Sequence, residues 1–199
     1  MEVISLWPTT IVRNHKIFSN HTAITQLAKQ AAERVELLDN PTDIAVIFNT
    51  LENNTALTDL KKWILDTTHA VVSEKNKQYW DKDHRPHFSK FWSWSSNNYY
   101  NAYHTHFNAS WSGIYCLESK QETTDNHNGY TVLYSPLPPI TYSDPGTEFL
   151  EKEFMHCHLL EPGDLLLFPS YLGHSAKYTG IENRTVLAFN ISFNTHTEK

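Results

Sequence analysis

Apolar residues recur at helical spacing in the first part of the chain and alternate with polar ones after Tyr79. Between Thr22 and Leu38 the run TAITQLAKQAAERVELL is rich in helix formers. Ala23, Leu27, Ala31 and Val35 fall on one stripe, which predicts an amphipathic helix ending at Asn40-Pro41. A second helix is predicted from Leu57 to Tyr79, with Leu60, Ile64, Val71 and Val72 on its apolar face and Thr55 or Thr58 as its cap. Ahead of both, VISLWPTTIV is β-branched and carries Pro8, as an edge strand would.

After Tyr79 the segments HFSKFWSWSS, NNYYNAYHTH, WSGIYCLES, GYTVLYSPL, DLLLFPS, HSAKYTG and RTVLAFNISF are short, aromatic and β-branched, with Gly, Pro, Asn and Asp between them. Helices followed by many strands predict an α+β, mostly β fold built on a sandwich or barrel. One domain spans 1–199 in this reading. Residues 1–80 form a strand and helices that pack on the sheet, and 81–199 form the β core. Ser119 to Gly129 reads as a polar loop. Leu137 to Glu151, with three prolines and Gly146, reads as a flap. Trp92 and Trp94 alternate on one strand and are expected to pack beneath the helices.

Size and charge narrow the classes. A chain of 199 residues can bury a sizeable core. A net charge of −6, with His neutral, argues against a sequence-independent nucleic-acid binder. The two cysteines, Cys116 and Cys157, form no CxxC unit and suit a reduced, cytoplasmic chain. MEVISLWPTTIVRNHK lacks the pattern of a signal peptide, and no apolar run has transmembrane length. The five N-x-S/T triplets therefore read as coincidence. An apolar N-terminal edge strand leaves room for a homodimer.

The chemistry concentrates in His104-Thr105-His106, His174 and Arg184. Residues i and i+2 of a strand share a face, so His104 and His106 can point into one cavity. His174 follows the buried strand Leu165–Phe168 and Pro169. Ten residues on, Arg184 opens the next strand and would lie beside His174 if the two strands pair. Imidazoles suit iron and zinc, and non-haem iron oxygenases favour two His and one carboxylate on one face of the metal. A guanidinium pointing inward needs an anion, and its planar fork matches a carboxylate. Each residue also has a structural reading: core or surface histidines, and an arginine in an ion pair. Tyr99, Tyr100, Tyr103 and Tyr115 could help hold a carboxylate or could be core. Ser112 and Asn190 could donate to a co-substrate or to the backbone. His156 and His158 form a second HxH that reads as a solvated strand face.

The runs HTHFNASWSGIYCL and EPGDLLLFPSYLGHSAKYTGIENRTVLAFNISF resemble the 2-oxoglutarate- and Fe(II)-dependent oxygenases. More narrowly they resemble a bacterial and phage subfamily with HxHPxSxxSGVYY followed by FPSxxxH and a downstream R. LWPTTIV is similar to that subfamily's start, so the resemblance spans most of the chain. Phe107 stands where the pattern has Pro, and Cys116 where it has the second Tyr. The resemblance implies a double-stranded β-helix (jelly roll) with N-terminal flanking helices. It implies Fe(II) on His104 and His174 and 2-oxoglutarate held by Arg184, with O2 as oxidant; Tyr103, Tyr115 and Asn190 are added as further co-substrate contacts from the chemistry of their side chains. The expected reaction is hydroxylation of a small-molecule, amino-acid or peptidyl substrate, with succinate and CO2 formed. For the third ligand His106 is favoured. An alternative makes His106 the first ligand with Asn108 a weak partner, and Asp144 in YSDPG is an outside candidate. The rival readings are a non-oxidative metal-binding jelly roll and a cupin-type isomerase or lyase on zinc or manganese.

Overall fold

The computed structural model describes residues 9–36, 54–77, 83–96, 100–119, 129–137, 155–177 and 184–194. Among the described residues two helices, α1 (His21–Glu36) and α2 (Thr55–Lys75), are flanked by nine strands. The strands are β1 (Val12–Asn14), β2 (Pro86–Ser96), β3 (Tyr100–His104), β4 (Trp111–Glu118), β5 (Tyr130–Tyr134), β6 (Met155–Leu159), β7 (Leu165–Pro169), β8 (His174–Lys177) and β9 (Arg184–Phe193). They form a five-stranded sheet in the order β1-β7-β4-β9-β2 and a four-stranded sheet in the order β3-β8-β5-β6. Every pairing is antiparallel. From β4 to β9 the chain changes sheet at every step except β5 to β6, which pair as neighbours, and the fold is a mostly β double-stranded β-helix with two helices among the described residues.

The five-stranded sheet is buried on both faces. On its outer face Tyr115, Leu117, Leu165, Leu167, Leu187, Phe189 and Ile191 pack with Ile24, Ala28, Leu57, Leu60 and Ile64 of the helices. On its inner face Cys116, Leu166, Phe168 and Val186 pack with Leu133 of the other sheet. Alternation sends neighbouring residues of one strand into these two layers. Gly113 lies where the outer layer is tightest. A Cβ there would come within 2.4 Å of the Phe189 ring and 2.8 Å of Leu167.

The helices differ from the sequence expectation in detail. In α1 the buried stripe is Ile24, Ala28 and Ala31, while Ala23 is exposed and Leu27 half-buried. The stripe is turned by one residue, because Ile24 is the larger anchor and the small Ala28 and Ala31 let the helix sit close to the sheet. In α2 the cap is Asn54, whose Oδ1 accepts from Leu57 N at 3.2 Å, rather than Thr55 or Thr58. The buried residues of α2 include Leu60, Ile64 and Val72, with Val71 half-buried. The edge strand lies at Val12–Asn14, at the end of the stretch proposed for it; residues 1–8 are outside the described part, as is most of the flap.

A buried carboxylate ties the β1 edge to the turn before β7. Asp164 accepts from Arg13 Nη2 at 2.7 Å, His15 Nδ1 at 2.9 Å and Glu161 N at 3.0 Å. Burial pushes its pKa up, but these bonds outweigh burial and hold it below its ordinary value of 3.8. A carboxylate with a depressed folded pKa stabilises the fold above its unfolded pKa, and this is lost as pH falls through the folded value. Asp164→Asn is therefore expected to cost roughly 1–3 kcal/mol at pH 7 and progressively less in acid. Thermal melts of both proteins from pH 7 to pH 3 check this; a constant gap across that range would contradict it.

Candidate metal centre

The strand β3 ends at His104, and the chain leaves the sheet there. His106 is thus in the connection to β4, not on the strand as alternation had suggested. Its backbone N–H donates to Ser170 O at 2.9 Å, pinning the connection to the end of β7. His104 is the register partner of His174 at the start of β8. The two imidazole centroids are 4.1 Å apart, and that of His106 lies 4.9 Å from His104 and 5.1 Å from His174. One ring nitrogen from each histidine can be chosen so that all three lie within 4.8 Å of one another. Among the described residues no other group of His, Cys, Asp or Glu has this geometry.

Two of the rings are held by carbonyls two residues back. His104 Nδ1 lies 2.7 Å from Ala102 O, and His174 Nδ1 lies 3.0 Å from Leu172 O. A ring nitrogen facing a carbonyl must donate, so Nδ1 is held by the carbonyl and Nε2 is the nitrogen left to face a metal. The His174 pKa is pushed down to about 4, chiefly by burial and further by His104 and His106, against the opposing pull of the Leu172 carbonyl. Burial, then the charges of His104 and Lys90, also lower His106. Neutral, converging imidazoles are the donor set that divalent iron accepts. The residues present fit the metal.

The three rings open into a cavity of about 190 Å³ between the two sheets. Arg184 lines it, 2% exposed, and donates from Nη2 to Thr131 Oγ1 at 3.4 Å. The expectation that Arg184 sits beside His174 on a paired strand is corrected. β8 pairs with β3 and β5, whereas β9 belongs to the other sheet, so Arg184 faces the site across the cavity. Passing from one sheet to the other between β8 and β9 is what a double-stranded β-helix requires.

Asn190 also lines the cavity and accepts from Ser112 Oγ at 2.9 Å, and Ser112 Oγ lies 2.9 Å from Ser170 Oγ. Tyr115 does not reach the cavity. It is on the outer face of β4, with its hydroxyl 2.9 Å from His21 Nδ1, because Ser112, Ile114 and Cys116 take the inner positions. Burial raises the Tyr115 phenol to about 12, consistent with a neutral core hydroxyl. Tyr103 is 59% exposed, packs against Tyr134 with centroids 5.1 Å apart, and covers Gly173 from outside. Trp92 departs from expectation in the opposite sense. It lines the cavity, with its ring 6.3 Å from His106, instead of packing under the helices. His156 is exposed and His158 half-buried on β6, apart from the three-histidine group. Asp144, Tyr99 and the side chain of Tyr100 lie outside what is described.

Comparison with solved structures shows the same architecture. A prolyl-4-hydroxylase from Pseudomonas putida matches with a TM-score of 0.58 at 12% identity, covering 92% of this chain and 89% of that one. AviO1 from Streptomyces viridochromogenes Tue57 matches with a TM-score of 0.54 at 11% identity, over 96% and 92% of the two chains. SnoN, an alpha-ketoglutarate-dependent epimerase from nogalamycin biosynthesis, gives 0.53 at 11% identity, over 92% and 78%. At such identities the likeness is one of fold. A search of curated proteins found no match. The family described as "putative 2OG-Fe(II) oxygenase" matches residues 90–190, just over half of the chain and the stretch that holds all three histidines and Arg184. The chain belongs to this 2OG-Fe(II) oxygenase family.

Proposed function

We propose that the protein is a 2-oxoglutarate-dependent Fe(II) dioxygenase that hydroxylates a small-molecule or amino-acid substrate. The observation that carries this reading is the convergence of three imidazoles on a cavity whose far wall presents a buried arginine. His104, His106 and His174 would hold Fe(II), and Arg184 with Thr131 would bind the distal carboxylate of 2-oxoglutarate. When bound, iron and 2-oxoglutarate would supply the oxidising chemistry with O2, leaving succinate and CO2.

The chain's own residues do the rest. The Ala102 and Leu172 carbonyls orient two of the rings. Phe168, whose ring centroid is 4.8 Å from that of His174, joins Ile114 and Val186 in an apolar wall that keeps water from the reacting centre. A donor set of three imidazoles, with no carboxylate, carries one negative charge fewer than two His and an acid. An anionic co-substrate therefore meets a more positive metal. Among the described residues no helix is long and apolar enough to cross a membrane.

The test is an anaerobic titration of metal-free protein with Fe(II) and then 2-oxoglutarate, followed by absorbance. A saturating visible charge-transfer band is expected, and succinate should form once O2 is admitted. Iron binding with no band would instead favour the non-oxidative metal-binding jelly roll.

A further inference from the structure

The cavity has a second polar end, remote from Arg184. Arg184, Val186, Ala188 and Asn190 all line the cavity from β9, and six residues of strand separate Arg184 from Asn190 by about 20 Å. The two residues therefore stand at opposite ends of the cavity-facing side of β9, and the Asn190 end is distinct from the one Arg184 occupies.

The chemistry of the Asn190 end is one-sided. Ser112 Oγ gives its hydrogen to Asn190 Oδ1, so Ser170 must donate to Ser112. This chain occupies the acceptor of the Asn190 amide and fixes its orientation. Asn190 is 1% exposed, and its hydrogen bonds among the described residues use its backbone O and side-chain Oδ1, not Nδ2. It is therefore left with donors at the cavity. In register with Asn190 and Ala188 stand Lys90 and Trp92 of β2, so both take the cavity side of the sheet. The Trp92 Nε1–H is shielded from solvent and has no partner among the described residues. Lys90 is exposed beside Asn190, forms no ion pair among the described residues, and is close enough for its charge to act on His106. An ammonium, an indole N–H and an amide NH2 are donors only. Among the described lining residues there is no Asp or Glu. Three donors side by side, with no carboxylate among the described lining residues, complement a group that only accepts, which is an oxyanion.

We propose that Lys90, Trp92 and Asn190 bind an anionic group of the substrate, a carboxylate or a phosphate ester. This rests on the oxygenase reading and adds the substrate class: an organic acid or its phosphorylated counterpart. Asn190 is thereby assigned to the substrate rather than to 2-oxoglutarate.

The test uses protein with 15N-labelled tryptophan, loaded with Zn(II) and 2-oxoglutarate, their binding being measured separately by calorimetry. Six indole resonances are expected, and the one missing in Trp92→Phe is Trp92. Benzoate, phenyl phosphate and the neutral isostere benzamide are titrated in turn, and again into metal-free protein. Benzoate or phenyl phosphate should move the Trp92 resonance while benzamide does not, and the tighter of the two identifies the anion. Lys90→Met should weaken that binding by about tenfold and leave 2-oxoglutarate affinity unchanged, with Lys90→Arg restoring it. Equal shifts with benzamide, no shift with either acid, or a Lys90→Met effect confined to 2-oxoglutarate would overturn the proposal. A failure of 2-oxoglutarate to bind, seen by calorimetry, bears on the oxygenase reading instead. The metal-free titration still decides the anion site.

Discussion

His174→Ala is expected to abolish Fe(II) binding at micromolar protein while leaving the fold intact. His174 is the most enclosed of the three rings, set between Phe168 and His104 with its Nδ1 bonded to Leu172 O. Loss of a residue that merely supports a ligand costs metal affinity about 10- to 100-fold, so loss of a ligand itself should exceed that. The folding cost is smaller. One side chain–backbone hydrogen bond and its ring contacts disappear, about 1–2 kcal/mol. Iron content after reconstitution and the melting temperature separate the two effects. His156→Ala, in the exposed HxH of β6, serves as the control and should keep full iron content. Unchanged iron in His174→Ala would remove the three-histidine assignment.

The parts of the fold that were legible in the sequence share a physical cause. The strands β2, β4, β5, β7, β8 and β9 are flanked by Gly, Pro, Asn, Asp or Ser, which favour turns, and so fall where the β-branched and aromatic runs place them. What could not be read is which face of a strand looks inward. On a half-solvated sheet, polar and apolar residues label the faces. Here β7 is buried from Leu165 to Phe168, and β4 buries Ser112 and Cys116 on one side and Gly113 and Tyr115 on the other. Alternation without contrast leaves the choice open, which is why Tyr115 could be taken for a site residue and Trp92 for packing. Trp92 had a usable signal in Lys90: a lysine two residues earlier on the same face argues against a position beneath the helices.

The site was legible in a different way. The HxH spacing brings two rings to one place, although by a strand end followed by a connection rather than by two strand positions. His174 and Arg184 stood out by their places at strand starts, but their roles came from the family resemblance, since no local pattern says that β8 pairs with β3 while β9 joins the other sheet. The Ser170–Ser112–Asn190 chain had no signal, because it joins three elements and each hydroxyl alone could have served its own backbone.

Arg184→Met is expected to lower 2-oxoglutarate affinity by at least about thirtyfold, because truncating one partner of a buried, hydrogen-bonded charge pair costs 2 kcal/mol or more. The guanidinium belongs to β9 in the five-stranded sheet and reaches Thr131 on β5 in the other, so it spans the cavity that the co-substrate would enter. A planar fork there can meet both oxygens of a carboxylate, whereas an ammonium cannot. Arg184→Lys should therefore recover only part of the loss. Fe(II) affinity measured without 2-oxoglutarate should stay the same in both variants, because no ring nitrogen of the three histidines bonds to Arg184 among the described contacts. Stability separates the competing account. If Arg184 served only to join the sheets, its loss would lower the melting temperature and leave the affinity for 2-oxoglutarate intact. If it holds the co-substrate, the variant's melting temperature without ligand should change little. The rise on adding 2-oxoglutarate to the metal-loaded protein should then be smaller in the variant than in the parent, since ligand stabilisation scales with the logarithm of concentration over Kd. A thermal melt with and without 2-oxoglutarate on each metal-loaded protein thus reads both roles of the same side chain in one experiment.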